Sequence, residues 1–452
     1  GNDTMSFGTG ELTAADTVTG GAGTDSITYS AAETMLDADL TLATSIETLS
    51  IGATGALTAT VGDVAKAAGI TGVTTGTGGT DDDTINIDWD MGDLTVTLEG
   101  AGEDQVLADA SYSNKLTVVI DDADLVAAGA FTAGSDDKLT AGTGTTDTLS
   151  IRGSGTQIVA ADITYVTNFE NIITDDADVD LIIDELTTAD GKGMKIDASA
   201  MVTSTSTLTL DLSDDNDGDF EVIGGVGADS ITISSSDIAD DISSGAGADS
   251  INFLSADLTS IDVIDGGAGT DTMKVSDQTA IVDADFTNVT NVEVLSSDSA
   301  TNSVVATIGA EAMGAGIRTV TFTDTGGNTD ALTVAAEFTA DLTVNLDAGA
   351  NANTVTASAY TGNLTVAATG AIMDAATHVL TGGTSSSDTL NVTADGTATA
   401  GVTSSVTDIE NITVVGDAGT FAWTANNNNA DDGTTITVDA TSLSSGTYGA
   451  TI

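Results

Sequence analysis

The sequence predicts an all-β, repetitive fold: a parallel β-solenoid or β-roll, with a string of β-sandwich-like modules left open as a variant. The chain has no proline in 452 residues, and proline is kept out of interior strands because it cannot donate to a β ladder. Aromatic residues make up 4% of a chain that is 40% apolar, which suits a narrow core of stacked strands better than a wide one. Segments such as 94–100, 208–214 and 342–348 alternate apolar and polar residues, which is the period-2 pattern of strands.

The charge balance restricts the possible partners. The chain carries 70 Asp and Glu against 8 Lys and Arg, a formal net charge of −62. Disordered chains share such a charge, but they lack the Val, Ile, Leu and Thr that are abundant here, so we expect this chain to fold. We expect no nucleic-acid partner, because binding depends on basic residues that neutralise phosphates. Divalent cations are the expected counterions, and acidity that serves only solubility is the alternative.

Cysteine is absent, so disulfides cannot cross-link the fold, and metal ions are the expected substitute. No run of 18 or more apolar residues occurs, so we expect no membrane span. The sequence starts at Gly1 without a signal peptide, and we expect it to be a piece of a longer protein.

An internal repeat of roughly 120 residues is the strongest pattern in the sequence. Each copy runs from a Gly-rich turn through an Asp and an apolar strand to an apolar-x-Glu-x-apolar strand, with Asp and Glu 22 or 23 residues apart. The Asp–Glu pairs are Asp25 and Glu47, Asp147 and Glu170, Asp271 and Glu293, and Asp388 and Glu410. We expect the Glu residues to be structural rather than metal ligands. The predicted units are 20–140, 141–264, 265–380 and a partial unit 381–452, with 1–19 as the tail of a preceding unit.

The Gly-rich turns carry the candidate chemistry. Segments 20–28, 224–232 and 266–274 fit Gly-Gly-x-Gly-x-Asp-x-U-x, where U is a large apolar residue, and 245–253 fits apart from its first position. Glycine permits the positive φ of a tight turn, so backbone carbonyls can converge on a cation, and Asp adds a charged oxygen. Calcium binds six to eight such oxygens. The alternative is an ordinary β-turn, in which Gly and Asp are favoured for conformational reasons.

The spacing of the aspartates favours calcium over an ordinary turn. Several pairs lie nine or ten residues apart, a step we interpret as half a turn of a β-roll, and others lie 20 to 22 residues apart, about one full turn. Beyond residue 300 the acidic position is replaced by Asn or shifted, so we expect no calcium there. The predicted calcium ligands are Asp3, Asp16, Gly21, Gly23, Asp25, Asp83, Asp104, Asp137, Asp147, Asp219, Gly225, Gly227, Asp229, Asp240, Gly247, Asp249, Asp262, Gly267, Gly269 and Asp271.

These nonamers resemble the calcium-binding motif of RTX (repeats-in-toxin) proteins. The pattern F-x-x-V-T-N-x-E-x-L, from Phe286 to Leu295, resembles bacterial S-layer proteins and large RTX adhesins. The resemblance implies a parallel β-roll that requires Ca²⁺, type I secretion, and folding outside the cell. The sequence departs from the family pattern because long tandem runs of nonamers are missing.

The expected function is therefore that of an extracellular structural protein on a bacterial surface. The leading hypothesis is a calcium-dependent, self-assembling S-layer or filament subunit whose partners are copies of itself. The alternative is the repetitive stalk of an RTX adhesin in cell-surface or biofilm attachment, and cell-surface polysaccharide is a further candidate partner. An enzyme accessory domain is a weaker third class.

Enzymatic activity is not expected. The single histidine, His378, cannot build the H-E-x-x-H motif of zinc proteases, and a cysteine nucleophile does not exist. The Thr-x-Thr stretches at 95–98 and 207–210 raise the question of ice binding. We expect that they do not recur in register on one face, so that threonine serves here as a β-former.

Overall fold

The computed structural model describes residues 1–51, 55–76, 82–100, 102–125, 137–184, 194–215, 218–234, 239–277, 280–297, 303–323, 329–346, 352–375, 378–394, 399–401, 405–416, 420–424, 435, 437–443 and 448–451. These residues form two compact units, Gly1–Ala228 and Asp229–Ile452. Each unit is a stack of parallel strands, which confirms the predicted all-β solenoid. Sandwich modules would pair strands antiparallel, and no antiparallel pair occurs among the described strands of either unit.

The first unit contains strands β1 to β21. They are β1 (Thr4–Phe7), β2 (Val18–Thr19), β3 (Ser26–Tyr29), β4 (Glu33–Met35), β5 (Ala43–Thr44), β6 (Thr48–Ile51), β7 (Leu57–Val61), β8 (Gly72–Thr74), β9 (Thr84–Ile87), β10 (Leu94–Thr97), β11 (Gln105–Ala108), β12 (Leu116–Asp121), β13 (Lys138–Thr140), β14 (Thr148–Arg152), β15 (Gln157–Ile158), β16 (Val166–Thr167), β17 (Asn171–Thr174), β18 (Val179–Asp184), β19 (Met194–Asp197), β20 (Leu208–Asp214) and β21 (Phe220–Ile223).

The second unit contains strands β22 to β44. They are β22 (Ser230–Thr232), β23 (Asp241–Ser243), β24 (Ala246–Gly247), β25 (Ser250–Phe253), β26 (Val263–Asp265), β27 (Ala268–Gly269), β28 (Thr272–Val275), β29 (Val289–Thr290), β30 (Val294–Ser297), β31 (Val305–Ile308), β32 (Thr319–Phe322), β33 (Ala331–Val334), β34 (Leu342–Leu346), β35 (Thr354–Thr356), β36 (Leu364–Thr369), β37 (Val379–Thr381), β38 (Thr389–Ala394), β39 (Thr399–Gly401), β40 (Ser405–Thr407), β41 (Asn411–Gly416), β42 (Thr420–Thr424), β43 (Thr437–Leu443) and β44 (Tyr448–Thr451).

Helices are short and sit at corners between strands. They are the α-helices α1 (Asp63–Ala68), α2 (Asp122–Leu125), α3 (Ala310–Ala315) and α4 (Gly370–Ala375), and the 3-10 helices Asp37–Leu40 and Asp283–Phe286. Within the described residues, none of these helices has the length and apolar character needed to cross a membrane.

In the first unit, the longest sheet runs β1-β3-β6-β8-β10-β12-β14-β17-β19-β21, and a second sheet runs β4-β7-β9-β11-β13-β16. In the second unit, the longest sheet runs β22-β25-β28-β30-β32-β34-β36-β38-β41-β43, and another runs β31-β33-β35-β37-β40. Neighbours in a sheet belong to successive turns of the chain, so residues about one turn apart in sequence stack on each other.

The core of the first unit is built from inward-facing columns of one apolar residue per turn. Because side chains alternate along a strand, every second residue of each strand points inward. The core that these columns fill is narrow, so the fold needs few large aromatic side chains. One column, with every member at most 1% exposed, is Ile27, Leu49, Val73, Val96, Val118 and Leu149.

The outward positions of the same sheet form two columns of small polar residues. On β1, β3, β6, β8, β10, β12 and β14 they are in register without a shift. We call them the hydroxyl face: Thr4, Ser26, Thr48, Gly72, Thr95, Thr117 and Thr148 in one column, and Ser6, Thr28, Ser50, Thr74, Thr97, Val119 and Ser150 in the other. Thr148, the last member of its column, is buried.

The hydroxyl face overturns the expectation that Thr-x-Thr stretches do not recur in register. Thr95 and Thr97 of β10 each stack on equivalent positions of the neighbouring turns. The stretch at 207–210 behaves as expected, because Thr209 of β20 lies on a different sheet and pairs with Asp180. Turn lengths vary along the chain, so the register of the threonines is set by strand pairing and not by a fixed sequence period.

The four predicted copies share one backbone feature. Among the described residues, four non-glycine residues have positive φ: Ser45 (55°), Asn168 (64°), Asn291 (54°) and Asp408 (54°). Each lies two residues before the Glu of its copy. Ser, Asn and Asp tolerate this left-handed conformation better than most residues, and it turns the chain sharply into the next strand. The limits of the predicted units, as distinct from these shared corners, stay predictions.

A buried tyrosine ties successive turns together at a corner of the first unit. The Tyr112 hydroxyl lies 2.9 Å from the Gly92 carbonyl oxygen and 3.1 Å from that of Lys115, and its side chain is 0% exposed. We expect Tyr112→Phe to lower the free energy of unfolding by about 1 kcal/mol, because the hydrogen bonds from the hydroxyl to these two carbonyls are lost. Urea unfolding monitored by circular dichroism would measure this, and an unchanged midpoint would mean that the hydroxyl contributes nothing.

Candidate metal sites in the carboxylate columns

Acidic side chains stack in columns at the corners where the chain enters its strands. In the second unit, Oδ1 of Asp249 accepts the backbone N–H of Asp229 at 2.8 Å, and Oδ1 of Asp271 accepts that of Asp249 at 2.8 Å. Oε2 of Glu293 then accepts the N–H of Asp271 at 2.9 Å. We call this series the 229–293 column. Each carboxylate therefore supplies the acceptor for a backbone N–H of the preceding turn.

The same hydrogen bond, from a backbone N–H to a carboxylate oxygen of the following turn, recurs at other corners with donor–acceptor distances of 2.7 to 3.2 Å. The further columns, written from donor turn to acceptor turn, are Asp3–Asp25–Glu47, Asp83–Asp104–Asp137 and Asp147–Glu170 in the first unit, and Asp240–Asp262 and Asp388–Glu410 in the second. Four columns contain an Asp–Glu pair of the sequence repeat, and in each of them the Glu is the last acceptor of the series. This geometry is consistent with the structural role expected for Glu47, Glu170, Glu293 and Glu410.

Most predicted carboxylate ligands therefore lie in columns, but two do not. Oδ2 of Asp16 accepts the N–H and the hydroxyl of Thr13, at 2.9 and 2.8 Å, on a corner away from Asp25. Asp219 has an exposed side chain. Asp147 stacks with Leu116, whose N–H its Oδ1 accepts at 2.7 Å, and not with Asp137. Aspartates nine or ten residues apart thus lie at different corners of the solenoid, whereas aspartates about one turn apart lie in the same column.

The motif glycines are required by the close stacking of the turns or, as at Gly21, by a positive φ alone. A Cβ atom on Gly267 would lie 2.0 Å from the Gly245 carbonyl oxygen, and one on Gly269 would lie 1.5 Å from that of Gly247. Gly267 and Gly269 also have φ of 79° and 153°. In the first unit, Gly21 and Gly23 have φ of 98° and 141°, and a Cβ on Gly227 would lie 1.8 Å from the Ser206 carbonyl oxygen. A Cβ on Gly225 would lie 2.7 Å from that of Met201.

Burial in the columns shifts the ionisation of the carboxyl groups. Loss of hydration raises the pKa of Asp104 to about 7 and that of Asp271 to about 6, although the backbone N–H that each accepts favours the charged form. Burial also raises the pKa of Asp388 and of Glu410. A column of stacked, desolvated carboxylates is therefore a place where a cation or a proton stabilises the folded chain.

The turns offer the oxygen donors that calcium prefers. Oδ2 of Asp25 and Oδ2 of Asp271 are buried without a hydrogen-bond partner. Oδ2 of Asp25 lies 2.7 Å from the position that a Cβ of Gly20 would occupy, so this carboxylate folds back over its own glycine turn. Among the described residues, no group of three or more His, Cys, Asp and Glu side chains could hold one metal ion. A calcium ion here would therefore be held mainly by turn carbonyls, with Asp25 or Asp271 adding a charged oxygen.

One column of the second unit lies beyond residue 300, where the sequence replaces the acidic position by Asn or shifts it. Oδ1 of Asp330 accepts the N–H of Val304 at 2.7 Å, and Oδ1 of Asn353 accepts that of Asp330 at 3.3 Å. His378 ends the series, because its Nδ1 accepts the N–H of Asn353 at 3.2 Å and its Nε2 lies 3.1 Å from the Ile372 carbonyl oxygen. The sequence signals are the Asn at the acidic position and the spacing of 23 and 25 residues, which is about one turn, whereas the part played by His378 has no sequence signal.

A second group of carboxylates caps helices of the following turn. Oδ1 of Asp37 accepts the N–H groups of Gly62 and Ala65, at 2.7 and 2.8 Å, at the start of α1. Asp283 does the same for α3, accepting the N–H of Ala312 at 3.0 Å. Both carboxylates begin an Asp-Ala-Asp triplet, but the same triplet at 122–124 and 176–178 accepts other N–H groups, so it does not identify these caps by itself.

Comparison with known proteins gives no relative from which a function could be transferred. No protein-family model, no curated protein and no solved structure matches the chain.

Proposed function

We propose that this chain is a structural segment of an extracellular bacterial surface protein, an S-layer or filament subunit that folds and assembles with calcium. The observation that carries this proposal is the 229–293 column, in which Asp249 and Asp271 are at most 2% exposed. The chain has a net charge of −62 and buries carboxylates one turn apart. Charge repulsion and the loss of hydration of these carboxylates therefore strongly oppose its folding. A bound cation relieves both effects.

Calcium fits this role better than magnesium. Calcium accepts six to eight oxygens in irregular geometry, including backbone carbonyls, whereas magnesium demands near-octahedral geometry and retains its waters. Calcium is scarce in the cytosol and abundant outside the cell. The chain would therefore stay loosely folded for type I secretion and would fold at the cell surface.

The second candidate is the stalk of a large adhesin in cell-surface or biofilm attachment. Parallel stacking of turns within each unit favours it, because such repeats lengthen in one dimension by adding turns. The two candidates differ in lateral contacts. A surface-layer subunit must bind copies of itself side by side, whereas a stalk must not. Binding to cell-surface polysaccharide is compatible with both.

A calcium titration of the chelator-treated chain tests the proposal. We expect circular dichroism to show folding with a midpoint on the order of 10⁻⁴–10⁻³ M, the range of extracellular calcium modules, and no folding with equal magnesium. Light scattering and negative-stain images of the calcium form then separate ordered assemblies from monodisperse rods. A chain that is fully folded in excess chelator and ignores calcium would show that the glycine turns are not metal sites.

A further inference from the structure

The hydroxyl face is a two-dimensional array of the first unit. Twelve of its fourteen positions are Thr or Ser, and the exceptions are Gly72 and Val119. The two columns are separated by one inward residue on each strand. Neighbouring strands lie about 4.8 Å apart, and alternate residues of a parallel strand lie about 6.6 Å apart. The array therefore repeats a hydroxyl group at two fixed distances in perpendicular directions.

Several hydroxyl groups of the face are held in place by one another. Ser26 Oγ donates to Thr4 Oγ1 at 3.1 Å, and Thr28 Oγ1 lies 2.8 Å from Ser50 Oγ. Threonine is also restricted at χ1 by its branched Cβ. Binding of a ligand to the array would therefore cost little conformational entropy, because these side chains are already ordered.

The face is free of charge, although the chain carries 70 acidic residues. None of its fourteen positions is Asp, Glu, Lys or Arg. Charged residues appear in the same columns only beyond β17, where Lys195, Asp197 and Glu221 point outward. Charged residues flank the array on the same side of the sheet, where Asp121 of β12 pairs with Arg152 of β14, so the neutral surface is limited to the fourteen positions.

These properties decide which ligand fits. A second copy of the chain is disfavoured, because seven turns of two columns offer far less than the roughly 800 Å² per partner of a stable protein interface, and each copy carries −62. A polysaccharide usually stacks on aromatic rings, and the face has none. The oxygen rows on the prism face of hexagonal ice have two repeat distances close to those of the array, and ice brings no charge.

We propose that the hydroxyl face binds ice. Ordered hydroxyl groups would hold water molecules at the positions of the ice lattice. The threonine methyl groups and Val119 would disfavour other orientations of these water molecules. An adsorbed molecule then blocks growth of the crystal plane that it covers. This activity goes beyond the structural function proposed above, because it needs only a folded first unit.

The test is ice recrystallisation inhibition and thermal hysteresis, measured on the whole chain in buffer where circular dichroism shows it folded. We expect activity in the wild type and a loss of about tenfold in effective concentration, or 1.4 kcal/mol of binding, in Thr95→Lys. The matched control is Thr209→Lys, the same change at an exposed strand threonine on another sheet, which should leave activity unchanged.

Three outcomes would overturn the proposal. They are a folded wild type that does not shape ice, an equal loss in both variants, and a Thr95→Lys variant that loses only concentration-dependent self-association, which would make the face a contact between copies. The calcium proposal fails separately, if the chain folds in chelator, and the ice assay can then still be run.

Discussion

Replacing Asp271 with alanine is expected to lower the free energy of unfolding by about 1–3 kcal/mol. Its Oδ1 is the acceptor for the Asp249 N–H, and Asp271 is 0% exposed. Alanine leaves this N–H buried without a partner, which costs more than the bond itself contributes. Removal of a desolvated negative charge offsets part of the loss. Urea unfolding of the wild type and the variant, both with and without calcium, gives the difference.

Asp271→Asn separates the two roles that this carboxylate can have. Asparagine keeps an oxygen for the Asp249 N–H but carries no charge. If Asp271 is only a hydrogen-bond acceptor, the variant should equal or exceed the wild type in chelator and respond to calcium identically. If Asp271 binds calcium, the calcium midpoint should rise by about tenfold, the equivalent of 1.4 kcal/mol.

The control for this comparison is Asp241→Asn. Asp241 lies in the same unit and its side chain is exposed on β23, so the variant removes the same charge without touching a column. An equal shift of the calcium midpoint in both variants would mean that calcium responds to overall charge. The 229–293 column would then not be a specific binding site.

The columns could be predicted in part from the sequence, because one turn of a solenoid has a nearly fixed length. Asp25 and Glu47 are 22 residues apart and stack as that spacing implies. The prediction weakens where turns differ in length. Asp104 and Asp137 are 33 residues apart and still form one hydrogen bond, from the Asp104 N–H to Oδ1 of Asp137. A sequence shows spacing along the chain, and only the strand register shows which residues share a corner.

The glycine turns show a second limit of sequence analysis. The motif predicts calcium binding, yet Gly267 and Gly269 are already required by contacts below 3 Å with the neighbouring turn. Close backbone stacking and cation binding select the same residue type at the same position. The hydroxyl face shows the reverse case, because Thr48 and Thr95 are separated by 47 residues and become members of one column only through the pairing of β6, β8 and β10.

In chelator, the chain is expected to be more stable at pH 5 than at pH 8. The folded-state pKa values of Asp104 and Asp271, about 7 and about 6, lie above the value near 3.9 of an unfolded Asp. The folded chain therefore binds more protons than the unfolded chain over this range. This contribution is fully present below about pH 4 and is lost as the pH rises through 6 and 7.

Calcium should weaken or reverse this dependence, because a cation bound at a column favours the ionised carboxylates and competes with protons. Thermal unfolding between pH 4.5 and 8, in chelator and in calcium, measures both slopes. Asp104→Asn should remove part of the slope in chelator, because this variant has no carboxyl group to titrate at that position. Identical slopes with and without calcium would mean that protons and calcium act at different places, and that the buried columns hold their charge without an ion.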